Sequence, residues 1–328
     1  MIVLYLITLL VLGIYSYSQI DLNLTLLQTP WFLNFQNQMI QLGYFNRPLS
    51  TAIFLAITFF FFLFYILFSL RADKLTIKNI ITLGLGIILL GLVSYPAFSH
   101  DIFNYIFDAR ILVYHHANPY TSTALMFPQD SWTRFMNWTH RTYPYGPVFL
   151  PISVLVYILG LNKFILTLFW FKALMAAAYV GSSYLIYKMA GKKGLVLFAL
   201  NPLIIYEGIV AGHMDVVMLF LALAAVYYKS RILWLLSAGV KYVTILLWPR
   251  LALKWLVILA YAGAVAQIFS RELLPHYFIV PLGISALAPN NRLIMWSAII
   301  ISLVLLLLRY YPFLSTGVWW PIVPLSPG

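Results

Sequence analysis

The sequence predicts an all-α fold, a polytopic transmembrane helical bundle, on three observations. Of 328 residues, 63% are hydrophobic and 9% charged, and the mean hydropathy of +0.93 excludes an ordinary soluble domain. Several apolar runs, such as Thr51 to Leu70 and Leu293 to Leu308 with its flanks, approach or exceed the roughly 20 residues that cross a bilayer as helix. Backbone groups in hydrocarbon must pair within the segment, and the short alternating strands of a β-barrel are absent. The length leaves room for about nine to eleven spans in a single domain, residues 1–328, with no linker, low-complexity tract or repeat.

The elements follow in chain order. Ile2 to Tyr17 lacks a basic leading region and a small-residue cleavage site, so it reads as a retained first helix. Spans are expected near 1–18, 50–70, 79–97, 164–187, 194–206, 214–228, 255–270, 276–289 and 293–309. The net charge of +12 is scattered in short loops, Arg71 to Lys78, Lys188 to Lys193 and Lys229 to Arg231. That is the positive-inside pattern, with contact to membrane lipids, and no nucleic-acid partner is implied. These loops are expected in the cytoplasm and the polar segment 98–147 on the opposite, external face. Parity then requires Val148 to Leu161, which contains Pro151, to be a short re-entrant or interfacial helix. It equally requires Ile232 to Pro249 to form a half-depth hairpin broken near Lys241. The chain has no cysteine, which excludes disulfide and thiolate chemistry.

The external segment concentrates the reactive groups. Of eight acidic residues it holds Asp101, Asp108 and Asp130, and of six histidines it holds His100, His115, His116 and His140. Pro96 closes the preceding span, Ser99 can cap the next helix, and that helix should run from His100 to about His115. On it Asp101, Tyr105 and Asp108 share one face, with Asn104 beside them. A carboxylate there can act as general base toward a sugar hydroxyl, or simply complement the helix dipole. Adjacent His115 and His116 point to different faces, no metal-ligand spacing accompanies them, and no metal site is expected. His115 reads as a helix-end residue, whereas Arg110 and His116 could touch phosphate or sugar. Trp132, Trp138, Tyr143 and Tyr145 suit sugar stacking and equally an interfacial belt.

A second cluster is Asn201-Pro202-Leu203, Tyr206-Glu207 and Gly212-His213-Met214-Asp215. Asn-Pro inside an apolar run breaks the helix, and the chain then emerges on the external side with Glu207, His213 and Asp215. Ionisable residues at such depth are functional candidates, although Asp215 can also sit in the first turn of the next helix. Lys172 and Lys241 lie in apolar runs and each should face the interior and meet an anion. Lys241 could neutralise a lipid-linked phosphate, while Lys172 could snorkel or pair with a carboxylate.

Taken in order, Asp101, Tyr105, Asn118-Pro119-Tyr120, Tyr143-Pro144-Tyr145-Gly146-Pro147, Asn201-Pro202-Leu203, Gly212-His213-Met214-Asp215, Val240-Lys241 and His276-Tyr277-Phe278 resemble the motifs of the GT-C superfamily of polytopic glycosyltransferases. The nearest likenesses are bacterial polyprenyl-phosphate-mannose-dependent α-mannosyltransferases of lipoglycan assembly and the catalytic subunit of the first mannosyltransferase of GPI-anchor synthesis. The resemblance covers roughly residues 95–290. It departs where His116 and Ala117 replace an expected glycine, between Lys241 and His276, where the chain is short, and in residues 19–49, which match nothing in those families.

The resemblance implies transfer of a hexose, mannose by likeness, from a polyprenyl-phosphate carrier to a lipid-linked or cell-envelope glycan acceptor. Asp101 would deprotonate the acceptor hydroxyl, with inversion giving an α-product from a β-linked donor. Arg110 and Lys241 would meet the donor phosphate, and Asp108, Glu207, His213 and Asp215 the sugar or acceptor hydroxyls. Tyr105, His116, Tyr145 and His276 complete the expected substrate contacts. No nucleotide-binding loop is present, in keeping with a lipid-linked donor and no further cofactor. The setting expected is a prokaryotic plasma membrane with the site facing outward. Broken helices and intramembrane charges also fit a secondary transporter, but the inverted repeats usual in transporters are absent. A non-catalytic scaffold leaves the concentration of polar groups unexplained.

Overall fold

A computed structural model describes residues 1–270 and 272–319, so the expected domain 1–328 extends past the described residues at 271 and 320–328. Every regular element among the described residues is helical. Twelve α-helices follow one another: α1 (Ile2–Ser16), α2 (Pro30–Ile40), α3 (Arg47–Leu70), α4 (Ile77–Val93), α5 (Asp101–Val113) and α6 (Phe149–Leu159) form the first half. Then come α7 (Phe164–Ala199), α8 (Asp215–Tyr228), α9 (Arg231–Val240), α10 (Leu253–Ser270), α11 (Ile279–Ser285) and α12 (Arg292–Thr316).

Fewer helices than expected are long and apolar enough to cross a bilayer. Among the described residues there are four, Ile2–Gln19, Arg47–Leu70, Phe164–Ala199 and Arg292–Thr316, or five if one bent pair counts as a single span. The expected spans 164–187 and 194–206 are two helical stretches of α7 that meet at Gly191, whose φ of +67 and ψ of −162 are not helical. Tyr179 Oη reaches Ala199 O at 2.8 Å, so the chain turns back at the basic stretch 188–193. The expected span 276–289 is a 3₁₀ turn, Pro275–Phe278, and then seven residues of α11, all buried. Pro275 and Pro281 keep it short, and a helix buried on every side belongs to a protein core and not to a lipid face.

The parity argument holds where it can be read from contacts. Lys192 donates to the main-chain oxygens of Asp73 and Leu75 at 3.1 Å, and Lys193 pairs with the Asp73 carboxylate at 3.0 Å. The two basic loops therefore lie on the same face, and α6, at 11 residues, is too short to cross between them. The chain also turns extended at Lys241 after only ten residues of α9, where the hairpin was expected to break.

The break after α7 is fully satisfied. Asn201 Oδ1 accepts from Leu203 N at 2.9 Å, and its amide donates to Ser302 Oγ at 3.0 Å and to Tyr65 Oη at 3.2 Å. The hydroxyls of Tyr65 and Tyr179 donate to the carbonyls of Leu197 and Ala199. An open helix end in an apolar core needs such partners, because water is not there to supply them. The chain then winds a π-helical segment, Ile204–Val210, and bends by 108° into α8. Gly212 sits in that bend at φ +77, a left-handed conformation that strains any other side chain. Lys172 does not reach a carboxylate: it donates to Ser94 Oγ at 3.0 Å and to Val210 O at 2.8 Å, tying α7 to the end of α4 and to the bend.

The segment Tyr143–Val148 docks on the end of α9. Gly146 N donates to Val240 O at 3.1 Å and Val148 N to Gly239 O at 2.9 Å. A Cβ on Gly146 would stand 2.1 Å from Gly239 O, a backbone atom that cannot swing aside. Gly146→Ala is therefore expected to destabilise the protein by about 1–3 kcal/mol, the range for overpacking a tight contact. Thermal unfolding of the detergent-solubilised variant checks this, and an unchanged midpoint would show that the loop is not held here.

Candidate functional site

The docking of Tyr143–Val148 against α9 closes one wall of a cavity of about 750 Å³. The opposite wall is the face of α5 carrying Asp101, Asn104, Tyr105 and Asp108. Asp215 and Lys241 line it from the bend and from the end of α9, and His276 from the turn before α11. Residues far apart in sequence thus converge on one chamber, as the shared face of α5 led one to expect.

Asp101 is the first residue of α5, and its amide donates to Ser99 Oγ at 3.3 Å. The helix begins at Asp101 with no side-chain cap, so Ser99 serves the turn before it. Phe98, at φ +70, is in the left-handed region where an aromatic residue is rare. It is held there by Tyr310, at 4.7 Å between ring centres, and by Phe54 and Tyr206. The rigid turn aims Asp101 at His213, whose Nε2 is 3.5 Å from Asp101 Oδ2 and 3.0 Å from Ser99 Oγ. Burial pushes the Asp101 carboxyl up, but His213, as hydrogen-bond partner and charge, and Lys241 outweigh it. The net effect holds Asp101 below the usual carboxylate range.

Asp108, two turns along the same face, is in the opposite condition. It is 5% exposed, and burial pushes its carboxyl from 3.8 up to about 8. At neutral pH it is mostly a protonated acid, able to donate a hydrogen bond into the cavity. Asn104 beside it is also 5% exposed, and its buried Oδ1 has no hydrogen-bond partner. Such an atom in a cavity wall asks for a donor from a ligand. Tyr105 and Tyr145 meet edge to face at 5.3 Å. Across the chamber Lys241 Nζ donates to Asp215 Oδ1 at 3.0 Å and lies 4.6 Å from the Tyr277 ring centre. The lysine side chain keeps 18% exposure and Asp215 only 2%. An ammonium has three donors, so Lys241 can serve an anion in the cavity while Asp215 fixes its position.

Four of the residues expected to touch substrate stand elsewhere. Arg110 is two positions beyond Asp108, on the far side of α5, and is bonded there. Its Nε pairs with Asp130 at 2.5 Å, it donates to Tyr157 Oη and Asn162 Oδ1, and its guanidinium lies between Tyr114 and Trp132, at 3.9 and 4.1 Å. His115 joins that structural knot through Asp130 at 2.8 Å and stacks on Phe127, as a helix-end residue would. His116 is exposed at φ +53 just past the helix and does not line the cavity. Glu207 and His213, 1% and 2% exposed, lie behind Asp101 and not in the wall. His213 Nδ1 hydrogen-bonds the Glu207 carbonyl at 3.0 Å, with the Glu207 carboxylate at 3.2 Å, and the Tyr310 hydroxyl bonds that carboxylate.

Asp101, His213 and His276 place possible metal-ligand atoms within 4.8 Å of one another. The two imidazoles, however, are stacked, with centres 4.0 Å apart and planes 23° from parallel. A ring nitrogen binds a metal along its in-plane lone pair, and the lone pairs of stacked rings run side by side without converging. The arrangement suits a histidine pair shielding a charge better than a metal centre.

Some lining residues were not singled out from the sequence. Arg141 is one, with its guanidinium 4.1 Å from the indole centre of Trp138, which was expected to suit sugar stacking, and Glu272, which bonds Arg309 at 3.2 Å, is another. Arg141 had a signal, as one of three arginines in the polar segment. Tyr310 had none, being an ordinary aromatic in an apolar helix 103 positions from Glu207.

No curated protein and no solved structure matches the chain significantly. Residues 9–263 match the family model described as alpha-(1->6)-mannopyranosyltransferase, N-terminal domain, which covers most of the chain. The chain therefore belongs to this family of mannosyltransferases, glycosyltransferases that here are built on apolar helices.

Proposed function

We propose that the protein transfers mannose from a polyprenyl-phosphate carrier to a lipid-linked or cell-envelope glycan acceptor, with inversion at the anomeric carbon. The observation that carries this reading is the pairing across one cavity of an ionised carboxylate, Asp101, with a half-buried ammonium, Lys241. Asp101 takes the proton of the acceptor hydroxyl as its oxygen attacks the anomeric carbon. The bond from that carbon to the phosphate oxygen breaks on the other face, giving an α-linkage from a β-linked donor. The phosphate leaves with the bonding pair, and Lys241 meets the growing charge.

In this reading Asp108 and Asn104 hold sugar hydroxyls, one as donor and one as acceptor, and Tyr105 with Tyr145 present ring edges and faces to the sugar; their place in the cavity lining and the unpartnered Asn104 Oδ1 support it. Arg110 drops out as a phosphate ligand because it does not line the cavity and lies on the far side of α5, bonded to Asp130, Tyr157 and Asn162. The volume is in the range of small-molecule sites and admits both a sugar phosphate and an acceptor sugar. Short helices and apolar outer faces favour a lipid-borne donor, and the paired basic loops on the face away from the cavity favour a site that opens outward from a prokaryotic plasma membrane.

Protein reconstituted in nanodiscs with radiolabelled polyprenyl-phosphate-mannose and a mannoside acceptor is expected to form a mannosylated product. Asp101→Asn should lower kcat by about 10²- to 10⁴-fold, the contribution of a general base. Full transfer by that variant would remove Asp101 from the chemistry, and solute uptake without transfer would favour a transporter.

Asp108 yields a second expectation. Its native carboxyl titrates near 8 and its unfolded one near 3.8, so between these values the native state holds a proton the unfolded state has released. Stability must then fall as pH rises through that window and level off above it. Asp108→Asn removes this contribution. The melting temperature of the variant minus that of wild type should therefore climb from pH 5 to pH 9, and a difference independent of pH would show Asp108 to be ordinarily ionised.

A further inference from the structure

The cluster behind Asp101 has a charge problem that a cationic His213 solves. Glu207 is 1% exposed, and its Oε2 has no hydrogen bond although it lies 3.2 Å from His213 Nδ1. Asp101 lies on the other side of the same ring, 3.5 Å from Nε2. Two buried or half-buried carboxylates flanking one imidazole carry two negative charges where water cannot compensate them.

The tautomer is settled from one side. A main-chain carbonyl can only accept, so the 3.0 Å contact from Nδ1 to Glu207 O requires the proton on Nδ1. Nε2 then faces Ser99 Oγ, which can donate or accept, and Asp101, which as a carboxylate only accepts. A second proton on Nε2 satisfies both neighbours and makes the ring a cation midway between the carboxylates.

We propose that His213 is the positioning residue of the reaction centre: an imidazolium held between Asp101 and Glu207 that keeps Asp101 ionised and aimed at the cavity. This rests on the reading of Asp101 as the base. The groups facing the ring from each packed element are Asp101 and Ser99 ahead of it, Glu207 from the π-helical segment, and His276 stacked on its face. Tyr310 of α12 bonds Glu207 and holds that carboxylate in place. Asp101 is faced in addition by Lys241, Trp138 and the Tyr105 and Tyr145 hydroxyls. Lys241 is tied to Asp215, whereas His213 Nε2 stands 3.5 Å from the Asp101 carboxylate. Any permanently neutral side chain at 213 would leave Asp101 and Glu207 without a cation between them, and the base would then hold its proton to higher pH.

The test is the pH profile of kcat/KM for mannosyl transfer, in wild type and His213→Gln, both confirmed folded by gel filtration and thermal unfolding. Loss of the imidazolium should move the acid limb up by about one pH unit or more, so that the deficit relative to wild type is smallest at pH 8.5 and widens toward roughly tenfold as the pH falls through that limb. A uniform loss at every pH would overturn the proposal, since a merely structural role has that signature.

If His213→Gln fails to fold, wild-type protein labelled with ¹⁵N-histidine supplies the answer alone. Of the six histidines, one should keep both ring nitrogens protonated at pH 8, and Glu207→Gln should abolish that signal. A spectrum with every ring neutral at pH 8 would overturn the imidazolium, as would stoichiometric zinc or manganese in the purified protein. The two readings fail separately. Full activity of Asp101→Asn with a persistent imidazolium removes the base and leaves the charge cluster, whereas an inactive Asp101→Asn with neutral His213 removes only the positioning role.

Discussion

A helix that stops in the middle of an apolar bundle is the constraint on which the cavity depends. Beyond Asn201-Pro202 the chain cannot continue α7, and it turns through 108° before α8 begins. In an apolar interior each freed carbonyl and amide needs a partner, and Tyr65, Tyr179, Ser302 and the Asn201 side chain supply them. Because the break is satisfied it can be rigid, and because it is rigid it can carry charge. Glu207, His213 and Asp215 all lie in or beside the bend, Lys172 clasps Val210 from outside, and α5 lays its acidic face across it.

The same economy explains why the carboxylates of α5 differ. Asp101 is at the end of the helix nearest the bend, where His213 and Lys241 favour its charge, whereas Asp108 has burial without a cation and holds its proton. One helix face thus presents an acceptor of protons and a donor of hydrogen bonds about two turns apart. Arg110 could have neutralised Asp108, but helical periodicity turns it to the opposite side, where Asp130, Tyr157 and Asn162 consume it.

Much of this was legible in the sequence because it is local. The shared face of Asp101, Tyr105 and Asp108, the break at Asn201-Pro202, the turn at Lys241 and the shortness of 148–161 all follow from spacing, proline and length. Arg110 was equally legible, and its two-residue offset from Asp108 argued against its place among the phosphate ligands. What spacing could not reveal were properties of the packed state. A run such as 276–289 is apolar whether it faces lipid or core, and only the neighbours of α11 decide. Tyr310 bonds Glu207 only because α12 packs beside the bend, and the depth that moves Glu207 and His213 from the cavity wall to a layer behind Asp101 is a tertiary fact.

The most direct test of the central claim, that Asp101 and Lys241 face one another across a single reaction chamber, is a cryo-electron-microscopy structure in nanodiscs with a polyprenyl phosphate bound. The phosphate is expected in contact with Lys241 Nζ at the edge of the cavity, leaving space for a sugar between it and the Asp101 carboxylate. A phosphate bound outside this chamber, or one contacting Asp130 and Arg110 on the far side of α5, would contradict it.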